Sequence, residues 1–306
     1  MTSNSFYPIG LSGKAWTENE RNQWRASQSQ QRLYGDDVLP RIMALADRFE
    51  IRTYGQLNYA GEAYTLYALR NGIPDQNLPT ALITGGVHGY ETSGVMGALQ
   101  FLETRAAEYA GKANLLVVPC VSPWAYERVN RWSYDAIDPN RSFYPDSPAI
   151  ECAALMELVA AQAGSFLLHI DLHETTDSDE SEFRPALAAR DGEDFVPGAI
   201  PDGFYLVDDS GNSQPAFQTA IIKAVEQVTH IAPPDDDRKI IGAPVVAHGV
   251  IEYPQAKYAM CASMTGARFT TTTEVYPDSP RATSAVCNDA QVTAVCAALD
   301  FALAHA

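Results

Sequence analysis

Several features that mark other classes of protein are missing from this sequence. No uninterrupted apolar run approaches about 18 residues, the length that a helix needs to span a membrane. The first residues, MTSNSFYPIGLSGKAW, contain no basic stretch followed by an apolar segment, so we expect no secretory signal and a cytoplasmic location. The motif GxSxG is also missing, which argues against a serine nucleophile.

Basic residues are scarce. The 306 residues include 21 Lys and Arg against 38 Asp and Glu, which gives a formal net charge of -17. A surface of this sign repels the phosphates of nucleic acids and of anionic membranes, so we expect neither as a partner. Solubility alone is the more ordinary reason for such an acidic composition.

Cysteine is scarce as well. Five cysteines occur, which is an odd number, and no two of them form a CxxC pair. In a chain of this size that pattern is typical of reduced thiols rather than of a disulfide framework. We therefore expect reduced cysteines that lie mostly in the core: Cys120, Cys152, Cys261, Cys287 and Cys296.

The hydrophobic content of 46% is enough for a large core, and the apolar patterns are of two kinds. Short apolar or β-branched runs predict strands, whereas segments with helical spacing predict helices. The predicted strands are a hairpin over 51–72 and single strands over 81–87, 114–120, 166–174 and 269–276. The predicted helices cover 39–49, 93–106, 149–162, 215–228 and 288–305.

Strands that alternate with helices in this way are typical of an α/β fold with a mostly parallel sheet covered on both faces. The chain has no low-complexity linker and no internal repeat. We therefore expect one domain, residues 1–306, in which 1–50 form an N-terminal extension with a helix and 51–306 form the core. Ser147 and Pro148 are predicted as the N-cap and first-turn residues of the helix that follows them.

Four residues with metal or proton chemistry follow or end the predicted strands. His88 and Glu91, in TGGVHGYETSG, come directly after the strand over 81–87, while His173 and Glu274 end two others. In parallel α/β sheets the ligand site lies outside the carboxyl ends of the strands, so we expect these four side chains at one edge. Two imidazoles and one carboxylate, with a fourth position left for water, form the ligand set of a catalytic zinc site. Other divalent ions also suit such a set.

The loop after the strand over 114–120 carries arginines that suit an anionic substrate. Arg131 lies in VNRW, and Asn140 and Arg141 form an adjacent pair further along. One planar guanidinium can hold a carboxylate through two parallel hydrogen bonds, and a second can donate to an oxyanion as it develops. The alternative is a surface loop of ion pairs.

Together these motifs resemble those of the zinc carboxypeptidase family, the M14-like metallocarboxypeptidases, including the succinylglutamate desuccinylase/aspartoacylase-like branch. The resemblance rests on HxxE after an apolar strand, R…DPNR in a loop, a strand ending in DLHE and a strand ending in Glu, over roughly residues 56–277. It implies the phosphorylase/hydrolase-like fold, a three-layer α/β/α sandwich with a mixed, mostly parallel sheet. It also implies one catalytic Zn2+ per chain.

The resemblance assigns roles to the four residues at the strand ends. His88, Glu91 and His173 correspond to the zinc ligands. Glu274 corresponds to the general base, which takes a proton from water and later passes it to the leaving nitrogen. The implied reaction divides an amide without a covalent enzyme intermediate.

The resemblance also assigns roles to the loop residues. Arg131 corresponds to the arginine that polarises the scissile carbonyl, although Arg128 is close enough in sequence to compete. Asn140 and Arg141 correspond to the pair that binds the terminal carboxylate of the substrate. Asp138 corresponds to the acid that orients the first zinc histidine.

Some positions remain open at this stage. The peptidases of the family place a mobile tyrosine over the substrate, and Tyr253 and Tyr258 are both candidates, with ordinary packing as the alternative for each. His169 shares a strand face with His173 and is more typical of a hydrogen-bonded structural histidine. Asp171 fits either a group that supports the site or an ordinary buried acid.

The segment over 174–194 is acidic and directly follows a predicted zinc ligand. One interpretation is a lid that favours cationic groups on the substrate, or a site for a second cation. The other is a solvated loop, which is the more common role of such a charge run.

Three functions fit these motifs. The first is a carboxypeptidase that acts on short peptides, including cell-wall peptides with unusual linkages, and the hairpin predicted over 54–70 favours it. The second is an N-acyl amino acid deacylase, favoured by DLHE and by the short path from Glu91 to His173. In both cases the substrate carries a free carboxylate. The third is a non-catalytic metal-binding protein, which is disfavoured because all predicted ligands and the base are present.

Overall fold

A ten-stranded mixed sheet lies at the centre of residues 6–306, which the computed structural model describes. Its strands are β1 (Glu50–Tyr59), β2 (Glu62–Arg70), β3 (Thr80–Gly85), β4 (Asn114–Val118), β5 (Phe166–Glu174), β6 (Tyr205–Asp209), β7 (Lys239–Ile240), β8 (Ala243–Ala247), β9 (Val250–Tyr253) and β10 (Phe269–Val275). Their order is β1-β2-β4-β3-β5-β10-β6-β9-β8-β7. β4, β3, β5 and β10 are parallel neighbours, whereas both ends of the sheet contain antiparallel pairs.

Helices cover both faces of this sheet. Within the described residues they are α1 (Glu18–Ser27), α2 (Tyr34–Asp37), α3 (Leu39–Met43), α4 (Thr92–Thr104), α5 (Pro123–Arg128), α6 (Ile150–Ala160), α7 (Arg184–Asp191), α8 (Pro215–Val225) and α9 (Ser284–Ala304). Short 3-10 helices (Ala106–Tyr109, Pro139–Arg141, Cys261–Ser263) and a π-helix (Asp179–Phe183) lie between them. α6 packs on one face, and α4, α8 and α9 pack together on the other.

The central strands β3 and β4 are buried on both faces because apolar residues occupy consecutive positions along them. Leu82 of β3 and Leu116 of β4 join a hydrophobic cluster with Leu155 of α6. The neighbouring Ile83 of β3 joins the cluster that contains Leu99 of α4. Strands whose two faces both meet helices are typical of α/β proteins. The predicted three-layer α/β/α sandwich with a mixed, mostly parallel sheet is confirmed, and the five cysteines are free and buried as expected.

In the N-terminal region one predicted helix is wrong in extent and one helix was missed. The helix predicted over 39–49 ends at Met43, because the bonds from Leu45 N to Ile42 O and from Ala46 N to Met43 O span three residues rather than four. This tighter turn ends the helix before β1 begins. Conversely, α1 was not predicted, because its residues are almost all polar. A capping box of Thr17 and Glu20 starts it.

The predicted N-cap of α6 is also wrong. The structure places the N-cap at Ala149, which has no side chain able to accept a hydrogen bond. Ser147 lies two residues earlier, and its Oγ accepts from Ala149 N at 3.3 Å. Ser147 therefore holds the turn that leads into the helix rather than capping the first helical N–H groups.

Helix α9 is long and apolar enough to cross a membrane by length and composition alone. However, 56% of its most apolar window is buried inside the protein, where it packs against α4, α8 and the sheet. The core helix of a globular domain satisfies the same criterion, so α9 is weak evidence for a membrane.

Candidate metal centre and active-site pocket

The carboxyl ends of three parallel strands bring the predicted site residues together. His88 and Glu91 follow β3, His173 lies near the end of β5, and Glu274 lies near the end of β10 directly opposite His173. A cavity of about 430 Å³ opens at this edge. The predicted site residues that line it are His88, Glu91, Arg131, Asp138, Asn140, Arg141, Tyr253 and Glu274.

A tight glycine turn carries His88 from the end of β3 into the site. A Cβ atom added at Gly85 would lie 2.3 Å from the carbonyl oxygen of Gly94 in α4, which no real side chain tolerates. Gly86 has a φ of +64°, in the left-handed region that glycine adopts without strain. Both glycines are therefore required for the close approach of this turn to α4.

His88, Glu91 and His173 form a group that could hold a metal ion. One ligand atom from each lies within 4.8 Å of the others. His88 Nδ1 lies 2.7 Å from one carboxylate oxygen of Glu91, and His173 Nδ1 lies 2.7 Å from the other. All three side chains are at most 2% exposed. The predicted ligand set is thus assembled in the folded chain.

A carboxylate holds the far nitrogen of each histidine. His88 Nε2 lies 3.0 Å from Asp138 Oδ1, and His173 Nε2 lies 2.6 Å from Asp171 Oδ2. Burial opposes ionisation of Asp138, but Arg131 and His88 outweigh it and hold its pKa well below the ordinary value. An ionised carboxylate only accepts, so each Nε2 donates to its aspartate, and Nδ1 is the nitrogen of each ring that would coordinate a metal ion beside Glu91. Asp171, which the sequence left open, is therefore the counterpart of Asp138.

The donor atoms fit a zinc ion. Glu91 Oε2 is buried and has no hydrogen-bond partner, although His173 Nδ1 is close to it. Two ligand atoms that lie close together without forming a hydrogen bond are expected when both face the same metal ion. Burial alone would raise the pKa of Glu91, but His173 and His88 outweigh it and lower the pKa to about 2, so the carboxylate is ionised. Two neutral imidazoles and one carboxylate are typical ligands of catalytic zinc.

Glu274 lies beside this group without belonging to it. Its Oε2 accepts a hydrogen bond of 2.9 Å from Thr175 Oγ1, which in turn is 2.7 Å from the hydroxyl of Tyr205. Burial raises the pKa of Glu274 to about 8, with His173 opposing the shift and the charge of Glu91 adding to it. A bound dication would act in the opposite direction, because it favours the ionised carboxylate.

Arg131, rather than Arg128, faces the pocket. Arg128 donates to both oxygens of Glu62 and stacks over Trp124, and it does not line the cavity. Arg131 Nε donates to Asp138 Oδ2 at 3.1 Å, and its side chain is 19% exposed at the cavity wall. The geometry thus separates the two arginines that the sequence could not fully separate.

Asn140 and Arg141 lie together on the cavity wall, but only Arg141 keeps its charged group available. Asn140 is buried, and its Oδ1 accepts from Cys261 N at 2.8 Å. Arg141 Nη1 donates to the backbone oxygen of Asn140 at 2.6 Å. Among residues 6–306 no carboxylate forms an ion pair with Arg141, so it is a cation without a protein counter-ion at the pocket.

The two candidate tyrosines occupy different positions. Tyr253, at the end of β9, lines the cavity. Tyr258 does not line it; its side chain is 41% exposed, and its ring lies 6.1 Å from that of Tyr253 and 5.9 Å from the Arg141 guanidinium. Tyr253 is therefore placed to contact a substrate directly, whereas Tyr258 covers Arg141 from outside.

The acidic segment over 174–194 forms one side of the pocket, and most of its carboxylates accept hydrogen bonds from other groups of the protein. The π-helix and α7 together make this side, which we name the wall segment (residues 179–191). Four carboxylates accept from other groups: Glu174 from the N–H groups of Thr92 and Ser93, Asp179 from Tyr90, Glu180 from Arg184 and Glu182 from Tyr7. These partners support neither a cation-binding lid nor a second cation site.

Several pocket residues were not predicted. Tyr90 lies inside the HxxE motif, Asp179 and Arg184 lie in the wall segment, and all three line the cavity. Nothing in the sequence spacing of the wall segment distinguishes these residues from a solvated loop. His169, by contrast, is structural as predicted: it is buried next to Thr84, and burial lowers its pKa to about 4, so it is neutral.

Comparison with protein families agrees with this site. Residues 77–191 match the model of the succinylglutamate desuccinylase/aspartoacylase catalytic domain, a span that contains all three candidate metal ligands. No curated protein matches the sequence.

Solved structures share the fold. A suspected metallopeptidase from Shewanella amazonensis SB2B superposes with a TM-score of 0.64 at 21% identity, over 87% of this chain and 93% of that one. A metallo-carboxypeptidase from Burkholderia cenocepacia superposes with a TM-score of 0.58 at 14% identity, over 86% of this chain and 68% of that one. A metallo-carboxypeptidase from Pseudomonas aeruginosa superposes with a TM-score of 0.56 at 16% identity, over 86% of this chain and 68% of that one. That structure is a complex with (2-guanidinoethylmercapto)succinic acid. The predicted resemblance is confirmed: the chain has the fold of these carboxypeptidases, and His88, Glu91 and His173 form a group that could hold a metal ion.

Proposed function

We propose that this protein is a zinc-dependent hydrolase that cleaves an amide bond next to a free carboxylate, as a metallocarboxypeptidase acting on short or cell-wall peptides. One observation supports the proposal: a single cavity brings together the zinc-ligand group, a carboxylate, a partly exposed arginine and an arginine without an ion pair. The last three are Glu274, Arg131 and Arg141. Each supplies one function that hydrolysis of such an amide requires.

Zinc bound to His88, Glu91 and His173 would act as a Lewis acid and would lower the pKa of a coordinated water toward neutrality. Asp138 and Asp171 fix the two imidazoles in the tautomer that leaves each Nδ1 free for the metal.

Glu274 manages the proton. It accepts a proton from the attacking water and returns it to the leaving nitrogen, and the Thr175 hydroxyl holds its carboxylate in place for both steps. Glu274 is half-buried at the cavity wall, where its carboxylate can exchange a proton with the reacting groups.

The two arginines bind the substrate at separate points. Arg131 donates to the carbonyl oxygen as negative charge develops there, and it is already ordered before the substrate arrives. Arg141, without a protein counter-ion, binds the free carboxylate next to the scissile bond, and Tyr253 lines the same cavity. A substrate with an amidated C-terminus would lose this contact.

The test is a mixed panel of substrates read by mass spectrometry. Zinc-loaded protein is incubated with short L-peptides, γ-D-glutamyl-diaminopimelate peptides, and N-acetyl and N-succinyl amino acids. We expect loss of a single C-terminal residue from a peptide, abolished in Glu274→Gln and strongly reduced in Arg141→Ala. C-terminally amidated copies of the same peptides are the matched controls and should stay intact. Cleavage of amidated and free peptides at equal rates would refute the role of the free carboxylate.

A second candidate function is deacylation of N-acyl amino acids. It is supported by the match of residues 77–191 to the desuccinylase/aspartoacylase catalytic domain. The same ligands, Glu274 and Arg141 would serve it, so the site geometry does not separate the two. Cleavage confined to the acylated amino acids would favour the deacylase, whereas cleavage of peptides with three or more residues would favour the peptidase. Zinc that stays bound through dialysis, together with hydrolysis that disappears in Glu274→Gln, would exclude a non-catalytic metal-binding protein.

A further inference from the structure

We propose that Asp179 and Tyr90 are positioning residues for Arg131, and that they couple the wall segment to the group that stabilises the oxyanion. The inference rests on the proposed hydrolase function for its catalytic consequence, but the contacts themselves are independent of it. Neither residue belongs to the predicted ligand set or to the substrate clamp.

The contacts form a closed network around the Arg131 guanidinium. The Tyr90 hydroxyl donates to Asp179, whose two oxygens lie 2.9 and 3.0 Å away. Arg131 Nη1 donates to Asp179 Oδ1 and to the Tyr90 oxygen, at 3.3 Å each. Asp179 Oδ2 also accepts from the backbone N–H of Thr176 at 2.8 Å, which ties the carboxylate to the chain directly after β5. All of these groups except Arg131 are buried.

The network leaves one specific donor free. Arg131 uses Nε for Asp138 and Nη1 for Asp179 and Tyr90, and no described residue accepts a hydrogen bond from Nη2. A guanidinium is a rigid plane, so fixing two of its nitrogens fixes the direction of the third. Asp138 and Asp179 therefore fix the direction of the free Nη2 group of an arginine that lines the same cavity as Glu274.

Asp179 differs from Asp138 in what else it touches. Asp138 also holds His88 and the backbone N–H of Asn140, so any change there disturbs the metal group as well. Among the described residues, Asp179 forms no hydrogen bond or ion pair with His88, His173 or Glu91. It begins the π-helix, and the Tyr90 ring packs 4.6 Å from Phe183 at the end of that helix. π-helical turns often occur at functional sites, and here the turn brings Asp179 and Phe183 onto the same tyrosine.

The test compares two variants with a matched control, all zinc-loaded. Asp179→Asn removes the charge and Tyr90→Phe removes the hydroxyl, each with little change in shape. Asp177→Asn makes the same chemical change two residues earlier, where the carboxylate accepts from the exposed Tyr276 hydroxyl instead. We expect kcat to fall about 10- to 100-fold in Asp179→Asn with little change in KM, because a displaced oxyanion donor costs rate rather than binding. Zinc content should be unchanged in every variant.

A double-mutant comparison separates positioning from a general structural effect. In an Arg131→Ala background, Asp179→Asn should lower kcat by no more than about twofold, because the residue through which it acts is gone. An equal loss of rate in both backgrounds would overturn the inference, since it would show that Asp179 acts through the wall segment alone.

A readout independent of activity keeps this inference separate from the proposed function. In the NMR spectrum of the zinc-loaded protein, the Arg131 side-chain Nε–H signal is assigned by its loss in Arg131→Lys. Rotation of the guanidinium about the Nε–Cζ bond should be slow in the wild type and in Asp177→Asn. It should be fast in Asp179→Asn and Tyr90→Phe. Unchanged rotation in both variants would refute the positioning role. If the wild type hydrolyses no substrate but the rotation behaves as expected, the proposed function fails while the positioning of Arg131 stands.

Discussion

At the scale of single residues, the site depends on pairs that sequence spacing alone could only suggest. His88, Glu91, His173 and Glu274 were predictable because each follows or ends an apolar run, and the carboxyl ends of parallel strands share one edge. Asp171 stayed open because residues two apart on a strand always share a face, whether or not they bond. Only the folded structure shows the 2.6 Å contact between Asp171 and His173 that decides its role.

Removal of the Asp171 charge should weaken metal binding. In Asp171→Asn the amide can present its NH2 group to His173 Nε2, which favours the tautomer with a proton on Nδ1 and no lone pair for the metal. We expect the affinity for zinc to fall about 10- to 100-fold, measured by competition with a chromophoric chelator.

Asp208→Asn is the matched control for this change. Asp208 is equally buried on β6, but it accepts from Gln214 N and Gln218 Nε2, which are not site residues. The zinc affinity of Asp208→Asn should equal that of the wild type. A similar loss in both variants would mean that Asp171 acts only through the stability of the fold.

At the scale of secondary-structure elements, the central strands and the hairpin of β1 and β2 were predictable, whereas β6 to β9 were not. The strands over 81–87, 114–120, 166–174 and 269–276 were found because continuous apolar or β-branched runs predict strands buried on both faces. β6 to β9 were missed because they are short, with only two residues in β7, and because β6 pairs with β9 and β10, which lie far along the chain. The π-helix was missed for a similar reason, because its contacts with Tyr90 and Arg131 cross the sheet edge.

The packing of α6 against β1 contains a buried carboxylate that makes the stability of the fold depend on pH. Glu151, in the first turn of α6, is buried; one oxygen has no hydrogen-bond partner, and Tyr59 of β1 bonds to the side chain. Burial raises its pKa from 4.5 to about 7. Between these values the folded state keeps a proton that the unfolded state releases, so the free energy of unfolding falls as the pH rises through this window.

Glu151→Gln should abolish the loss of stability that accompanies rising pH. The amide is neutral at every pH and its oxygen can still accept from Tyr59, so the variant should be more stable than the wild type at pH 8 by up to about 3 kcal/mol. The difference should shrink toward zero near pH 4.5, as measured by urea unfolding at both pH values. Glu157→Gln, on the exposed face of the same helix, should show no such trend. A stability difference that does not vary with pH would argue against a protonated Glu151.

At the scale of the whole molecule, the N-terminal segment supports the pocket from outside. The Tyr7 hydroxyl donates to Glu182 at 2.9 Å, and Trp16 N donates to the Arg190 oxygen at 2.8 Å, so both ends of the wall segment are held. Trp16 is 6% exposed and also meets the Trp132 ring edge-on. The extension over 1–50 was predicted from its polar character, but its contact with the pocket wall was not predictable, since it joins residues more than 170 positions apart.

Trp16→Ala should therefore loosen the wall segment. Loss of this indole leaves a cavity between the N-terminal segment and Trp132, at a cost of about 3–5 kcal/mol for a buried tryptophan. We expect faster amide hydrogen exchange in residues 179–191, read by mass spectrometry, while the β3 and β5 peptides keep their protection because they lie in the central sheet. Trp124→Ala is the matched control, because Trp124 is equally buried but packs on Tyr59 and Tyr134 away from the wall. If both variants accelerate exchange in the wall segment to the same degree, the effect of Trp16 on the wall segment is a general effect of stability. If only Trp16→Ala does so, the N-terminal segment determines how firmly the wall segment is held at the pocket.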